Sequence, residues 1–411
     1  MGTSSRVPAL LILSSAFLAA AGNGISLVAF PWLVLERTGS ATGASIVAGA
    51  GTLPLLFATL IAGTAVDFLG RRRVAMLADA MSALSVLAIP ALVLALGAGV
   101  LTTAVLAGLA ALGAFFDPAG MTARLSMLPE AARRANWTLD HTNSVYEAVF
   151  NLAYITGPGI GGLLIATLGG VNTMWVTAAA FGLAILAMAV LRLPGADRPE
   201  PEARPDGVMS GVLEGLRFVW GNRVLRTLGL IELAVTGLYL PMESVLFPKY
   251  FSDRNEPAQL GWVLMALSIG GLIGALSWTV LSRVASKRTT ILIAVATFGT
   301  GATVIAFLPP LPVILVLAVL IGLVYGPIGP IYNSVMQTRT PARMRGRVVG
   351  VMTSMAYAAG PVGFVIAGPL VDAFGITTAF LALALPVLGI AIVCLGIPAL
   401  RELDEPNPAA S

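Results

Sequence analysis

Gly63-Thr-Ala-Val-Asp67-Phe-Leu-Gly70-Arg71-Arg72-Arg73 joins two apolar runs, residues 42–68 and 74–96. A helix of roughly 20 apolar residues crosses a bilayer, and either run is long enough. Glycine turns a chain tightly because it accepts positive φ without penalty. Consecutive arginines are retained on the cytoplasmic face of a membrane. Gly70 followed by three arginines therefore reads as a short inner loop between two membrane-spanning helices.

The pattern extends in both directions. Further apolar segments cover about 8–35, 100–120, 142–168, 172–192, 224–248, 258–282, 289–308, 312–336, 348–371 and 376–399, which makes twelve. Twelve crossings of roughly 20 residues need about 240 apolar positions, close to the 57% of 411 residues that are hydrophobic. Only 11% are charged, against about 25% in an ordinary soluble domain. A mean hydropathy of +0.91 and so few charges exclude a soluble enzyme and a nucleic-acid binder. The runs are continuous rather than alternating, so they are helices and not strands of a barrel. The apolar run near Arg6 continues to Leu35, longer than the core of a cleaved signal peptide.

Cation placement fixes the orientation. With the N-terminus inside, the outer loops hold only Arg37, Lys249 and Arg254 of the 24 Lys and Arg. The rest, including Arg71 to Arg73, Arg133-Arg134, Lys287-Arg288 and Arg339 to Arg347, fall inside, as the positive-inside rule asks. Both termini are expected in the cytoplasm of a cell carrying this multi-pass protein in its plasma (inner) membrane.

Pro194, Pro199, Pro201 and Pro205 alternate with charges and read as an extended linker. Val208, Val212, Leu216 and Trp220 then recur at helical spacing, as in an amphipathic helix at the inner surface. The halves on either side echo each other. Pro118 to Pro129 and Pro330 to Pro341 span equal intervals, and Gly157-Pro158 matches Gly360-Pro361 in place. The expected architecture is all-α: a six-helix bundle over 1–193, a cytoplasmic linker over 194–222, a second six-helix bundle over 223–400, and a tail over 401–411. Internal repeats of this kind place a transporter's substrate site where the repeats meet.

Two motifs carry a family resemblance. The 63–73 loop resembles the signature loop of the major facilitator superfamily, Gly-x-x-x-Asp-x-x-Gly-Arg-Lys/Arg, although Phe68 stands where the family often has a basic residue. Gly157-Pro158-Gly159-Ile160-Gly161-Gly162 resembles the Gly-Pro-x-x-Gly-Gly motif of the superfamily's antiporters, with Ala153 in place of the leading glycine. Pro158 removes a helix hydrogen bond, and the glycines admit a neighbouring helix. Phe30 to Glu36, Asp117 to Glu130, Tyr146 to Ala166, Tyr239 to Tyr250 and Leu400 to Leu403 resemble the Tap group of actinobacterial efflux pumps. The resemblance implies export of amphiphilic drugs, tetracycline- and aminoglycoside-like antibiotics among them, by proton antiport with alternating access. It further implies that Gly63, Asp67, Gly70 and Arg71 to Arg73 form a cytoplasmic gate, and that Gly157, Pro158, Gly161 and Gly162 shape the interface that rocks.

Charges at bilayer depth cost several kcal/mol and mark functional positions. Asp79, Asp117, Glu147, Glu232 and Glu243 are the candidates. Asp79 and Asp117 lie near inner helix ends and are assigned to the gate. Glu232, Thr236, Tyr239 and Glu243 share one face of the seventh helix at 100° per residue, a stripe that suits a cavity lining. Glu147, Glu232 and Glu243 are the proton-coupling candidates. Asn23, Asn143, Asn151, Tyr239, Met242 and Tyr357 are candidates for the substrate cavity. Drug–proton antiporters often carry an arginine in helix 4; residues 100–116 hold no charge, which argues against a proton step built there.

One histidine, His141, and one cysteine, Cys394, supply no metal site, and no phosphate-binding loop appears. The expected protein is no enzyme, needs no cofactor and is driven by the proton gradient. Its expected partners are small-molecule drugs or lipids and the membrane lipids around it, with no nucleic acid, and it acts as a monomer. Export of an endogenous lipid or siderophore-like metabolite is the alternative; a non-transporting sensor or scaffold is the competing class.

Overall fold

The computed structural model describes residues 5–193, 208–282, 284–341 and 344–404. The proline-rich stretch 194–207 of the expected linker and the tail beyond 404 lie outside them, as do the side chains of Gly63, Asp67 and Asn151. No strand occurs among the described residues. Eleven segments are long and apolar enough to cross a membrane, and a further helix of 30 residues contains the apolar stretch Thr156–Leu168.

The chain divides into two compact units. The first comprises Met1–Gly39, Ile46–Arg204 and Ser252–Gly261; the second comprises Ser40–Ser45, Pro205–Phe251 and Trp262–Ser411. The first unit is built on α1 (Val7–Thr38), α2 (Ala41–Leu69), α3 (Arg71–Leu96), α4 (Thr103–Ala135), α5 (Leu139–Leu168) and α6 (Gly170–Ala189). The first turn of α2 belongs to the second unit. Within the first unit α1 packs on α4, α5 and α6, and α3 packs on α4 and α6.

Glycines bring α1 and α5 into backbone contact: a Cβ added at Gly157 would meet the Gly24 Cα at 2.8 Å. Gly161 likewise abuts Ile25, and Gly162 abuts Gly261 and the Pro257 carbonyl. The close approach expected of this motif is thus realised on two sides of one helix. Gly70 takes φ 88° and ends α2, and α3 starts at Arg71.

Helix 4 corrects the sequence reading. It does not stop near residue 120 but runs unbroken to Ala135 through Pro118 and Pro129. A proline removes one hydrogen bond, yet neighbouring helices can re-satisfy the freed carbonyl. The helix therefore carries a buried arginine, Arg124, at 4% exposure. The reading of helix 4 as free of arginine fails because it truncated the helix.

The second unit contains α7 (Val208–Gly221), α8 (Arg223–Pro241), α9 (Phe247–Ser252), α10 (Pro257–Leu281), α11 (Lys287–Ala306), α12 (Leu311–Tyr325), α13 (Ile328–Arg339), α14 (Arg345–Phe374) and α15 (Ile376–Gly396). The last residue of α9 and the first turn of α10 belong to the first unit. A π-helical turn, Met242–Leu246, joins α8 to α9 directly after Pro241. The expected seventh span is therefore one helix with a wide turn in its outer part. Gly270 and Gly274 of α10 face Gly322 and Gly326 at the α12 end, where any Cβ would stand within 2.0–2.2 Å of a carbonyl oxygen. This pair of Gly-x-x-x-Gly steps is a close-packed membrane helix contact. In α7, Val219 is buried, whereas Leu213, Leu216 and Trp220 are exposed, and Glu214 pairs with Arg347 of α14.

Candidate functional site

Each unit holds a polar cluster inside its apolar packing. In the first, Asp79 of α3 is 3% exposed. Both its carboxylate oxygens accept from Nη2 of Arg124, whose Nε donates to Ser15 Oγ of α1 at 3.0 Å. A buried carboxylate and a buried guanidinium each cost several kcal/mol alone; paired and hydrogen-bonded, they are tolerated.

Asp117 lies two turns before Arg124 on α4 and is half-buried. Its Oδ1 accepts from the Ser82 hydroxyl at 3.0 Å, and the Asn23 side-chain amide donates to the same carboxyl. Asp117 forms no ion pair. Tyr146 of α5, 1% exposed, is packed into the same core. Asn23, Asp79 and Asp117, predicted for two different roles, thus come together in one network.

Glu147 follows Tyr146 on α5, about 100° further around the helix. It is exposed with Asn143 and, among the described residues, makes no ion pair. His141 is exposed and meets the Trp137 ring edge-on at 5.1 Å, an end-of-helix packing role. Arg72 of the basic loop donates to the Leu191 carbonyl at 2.9 Å, tying the start of α3 to the end of the first unit.

In the second unit the stripe on α8 forms two hydrogen-bonded steps. The Thr236 hydroxyl donates to Glu232 Oε1 at 3.3 Å, and the Tyr239 hydroxyl donates to Glu243. Tyr325 of α12 hydrogen-bonds to Thr236, and Tyr332 of α13 donates to the Leu228 carbonyl at 3.0 Å. Glu232 therefore sits among hydroxyls and makes no ion pair. Tyr239 and Met242 line an apolar cavity with Phe247, Phe298, Ile321 and Phe380. The Tyr239 ring meets Phe298 edge-on at 5.8 Å, and Phe298 meets Tyr325 at 6.3 Å. Tyr357 of α14 is 38% exposed.

Two residues escaped the sequence reading. Arg124 was counted as inner-loop charge, and its partner lies 45 positions away, beyond any local spacing. Asp372, near the end of α14, accepts from Ser40 Oγ and from the Ala41 and Thr42 amides at 2.9–3.0 Å. It caps the first turn of α2 from outside that helix. Only its position one residue before Ala373-Phe374-Gly375, at a helix end, hinted at a capping role.

The Major Facilitator Superfamily model matches residues 12–363 and, again, 244–410. This chain belongs to that superfamily. It is a multi-pass membrane transporter and not an enzyme. Over 404 residues it is 66% identical to "Multidrug efflux pump Tap" of Mycolicibacterium fortuitum, covering 98% of this chain and 99% of that one. The pump of the same name from Mycobacterium tuberculosis (strain ATCC 25618 / H37Rv) is 62% identical, with 98% and 96% covered. "Enterobactin exporter EntS" of Escherichia coli O1:K1 / APEC is 30% identical over 62% of this chain and 60% of its own. Among solved structures, the nucleoside transporter NupG shares the fold at a TM-score of 0.75, 15% identity and 96% and 99% coverage. A D-xylose–proton symporter does so at 0.73, 11% identity and 97% and 99% coverage.

Proposed function

We propose that this superfamily member exports amphiphilic drugs from the cell by antiport with protons, using alternating access between its two six-helix bundles. The observation that carries the reading is Glu232: a carboxyl inside a membrane-spanning helix, among hydroxyls, with no cation beside it. Such a group is expensive to keep ionised in hydrocarbon, so it takes and gives a proton as water reaches it. Glu243, beside the Tyr239 hydroxyl, shares the property, and Glu147 is a carboxyl on the membrane helix α5; both are the further coupling acids. Cargo with a positive charge competes with the proton for these carboxyls, and the aromatic lining around Tyr239 and Met242 suits its apolar part. The identity to the Tap pumps supports multidrug export as the direction and class.

Orientation with both termini cytoplasmic is part of the same reading, supported by the cation split. So are the gate formed by the 63–73 loop and the rocking interface at Gly157 to Gly162. No cofactor is required; the proton gradient is the energy source.

The test is transport into proteoliposomes across an imposed pH gradient, with a tetracycline, an aminoglycoside and a panel of lipophilic cations. Drug accumulation that follows the pH gradient and collapses with a protonophore is the expected result. No gradient-dependent flux of any compound overturns the reading. The relative that exports enterobactin favours a second reading, a catecholate or other siderophore-like metabolite as the native cargo. Flux of a siderophore with no flux of drugs selects it.

A further inference from the structure

We propose that Asp117 is a proton-binding carboxyl of this exporter, set by Ser82 and Asn23 beside an Asp79–Arg124 pair that stays closed. The inference rests on the proton-antiport reading and adds a buried site in the first unit to Glu147, Glu232 and Glu243. Three observations lead to it. Asp79 and Arg124 are paired: both carboxylate oxygens accept from Nη2 of the guanidinium, its Nε donates to Ser15, and both residues are under 5% exposed. Arg124 is thus held on Asp79. Asp117 is the second carboxyl of the cluster; among the described residues it forms no ion pair, and Arg124, whose charge reaches it, is hydrogen-bonded to Asp79 instead. Two carboxylates and one guanidinium leave one negative charge over, and in a membrane interior a proton removes that charge at least cost. Of the two acids, Asp79 is held by a guanidinium and Asp117 by the neutral Ser82 hydroxyl, so Asp117 is the one that takes the proton.

The groups facing Asp117 are few. From α3 come Asp79 and Ser82, from α1 Asn23, and from α4 itself Arg124; Ser15 of α1 binds Arg124, and Tyr146 of α5 faces Arg124 and Asp79. α6 has no ionisable side chain. The ionised carboxylate accepts from Ser82 and from the amide NH2 of Asn23. Protonated, Asp117 is itself a donor, and the Asn23 carbonyl is then its natural acceptor. Adding one proton to a carboxylate oxygen of Asp117 therefore turns the amide of Asn23 over. The amide group presented away from the cluster changes from carbonyl to NH2, or back.

The experiment is pH-dependent infrared difference spectroscopy of the purified, full-length exporter in lipid nanodiscs, without drug. The carbonyl stretch of a neutral carboxyl titrates in the wild type. Asp117→Asn is expected to remove one such component, Asp117→Glu to restore it at a displaced frequency, and Glu232→Gln to leave it in place. Ser82→Ala, which keeps the carboxyl, is expected to displace the pH midpoint of that component by about one pH unit, the worth of a hydrogen bond to a charged group. An unchanged carboxyl spectrum in Asp117→Asn overturns the proposal. Should Asp117→Asn fail to fold, an unmoved midpoint in Ser82→Ala overturns it equally. Wild-type protein with pH-driven drug flux but no Asp117 component rejects this site alone. A clear Asp117 component with no pH-driven flux supports the site and rejects the antiport reading.

Discussion

At the scale of single residues, the difference between paired and unpaired acids decides what each substitution does. Removing Arg124 leaves Asp79 buried without its cation, which costs on the order of 3–5 kcal/mol. Arg124→Gln is therefore expected to lower the thermal unfolding midpoint of the detergent-solubilised protein sharply, whereas Asp79→Asn with Arg124→Gln is expected to recover most of the loss. A double variant no more stable than Arg124→Gln alone contradicts the pairing. Glu232 behaves in the opposite way, because nothing charged depends on it. Glu232→Gln should fold normally and still bind drug, while drug-driven proton release from proteoliposomes is lost; the same holds for Glu147→Gln. Release preserved in both variants removes these two acids from the mechanism. The acids themselves were legible in the sequence, since a charge inside an apolar run stands out by composition. Their partners were not. The Asp79–Arg124 pair joins α3 to α4, and only the packing of those helices brings the groups together.

At the scale of elements, helix identity was legible and helix ends were not. Twelve apolar runs appear at the expected places because a bilayer demands length and continuity. Pro118 and Pro129 looked like a boundary, yet α4 passes through both, since bundled helices supply what a proline withholds. Gly157 to Gly162 announced a close approach, while its neighbours, Gly24 and Gly261, could not be read from spacing. The contact of α10 with α12 offers a direct test. At Gly322 a Cβ would stand 2.0 Å from the Leu267 carbonyl oxygen, backbone that cannot yield. Gly322→Val is expected to destabilise by about 1–3 kcal/mol or more, whereas Gly389→Val in α15, where nothing lies within 4 Å, should be near neutral. Equal melting temperatures for the two variants contradict the packing. The cap on α2 is a second test at this scale. Losing the Asp372 carboxylate frees two amides, and such caps are worth about 1 kcal/mol. Asp372→Ala should raise amide exchange at Ala41 and Thr42 about fivefold, the rate factor of that energy, with exchange deep in α2 unchanged.

At the scale of the whole molecule, the proposed twelve crossings would tie the two ends of the chain to one side, and the cation split assigns that side to the cytoplasm in the proposed orientation. Every loop position follows from the count, so one span too many or too few would reverse all later loops. The parity can be measured because the protein has a single cysteine, Cys394, which is buried. In a Cys394→Ala background, new single cysteines at Gly99, between α3 and α4, and at Asp253, after α9, should react with a membrane-impermeant maleimide added to intact cells. Cysteines at Arg73 and Ser286 should react only after the membrane is opened. The four sites sample both halves, so the pattern also tests the repeat. An inner-side Arg73 with an inner-side Gly99 would break the alternation within the first half. All four sites inverted together would keep the fold but reverse the direction in which the proton gradient drives cargo. The proposed export by proton antiport requires the cation-rich face to lie in the cytoplasm, so that protons moving inward drive cargo outward.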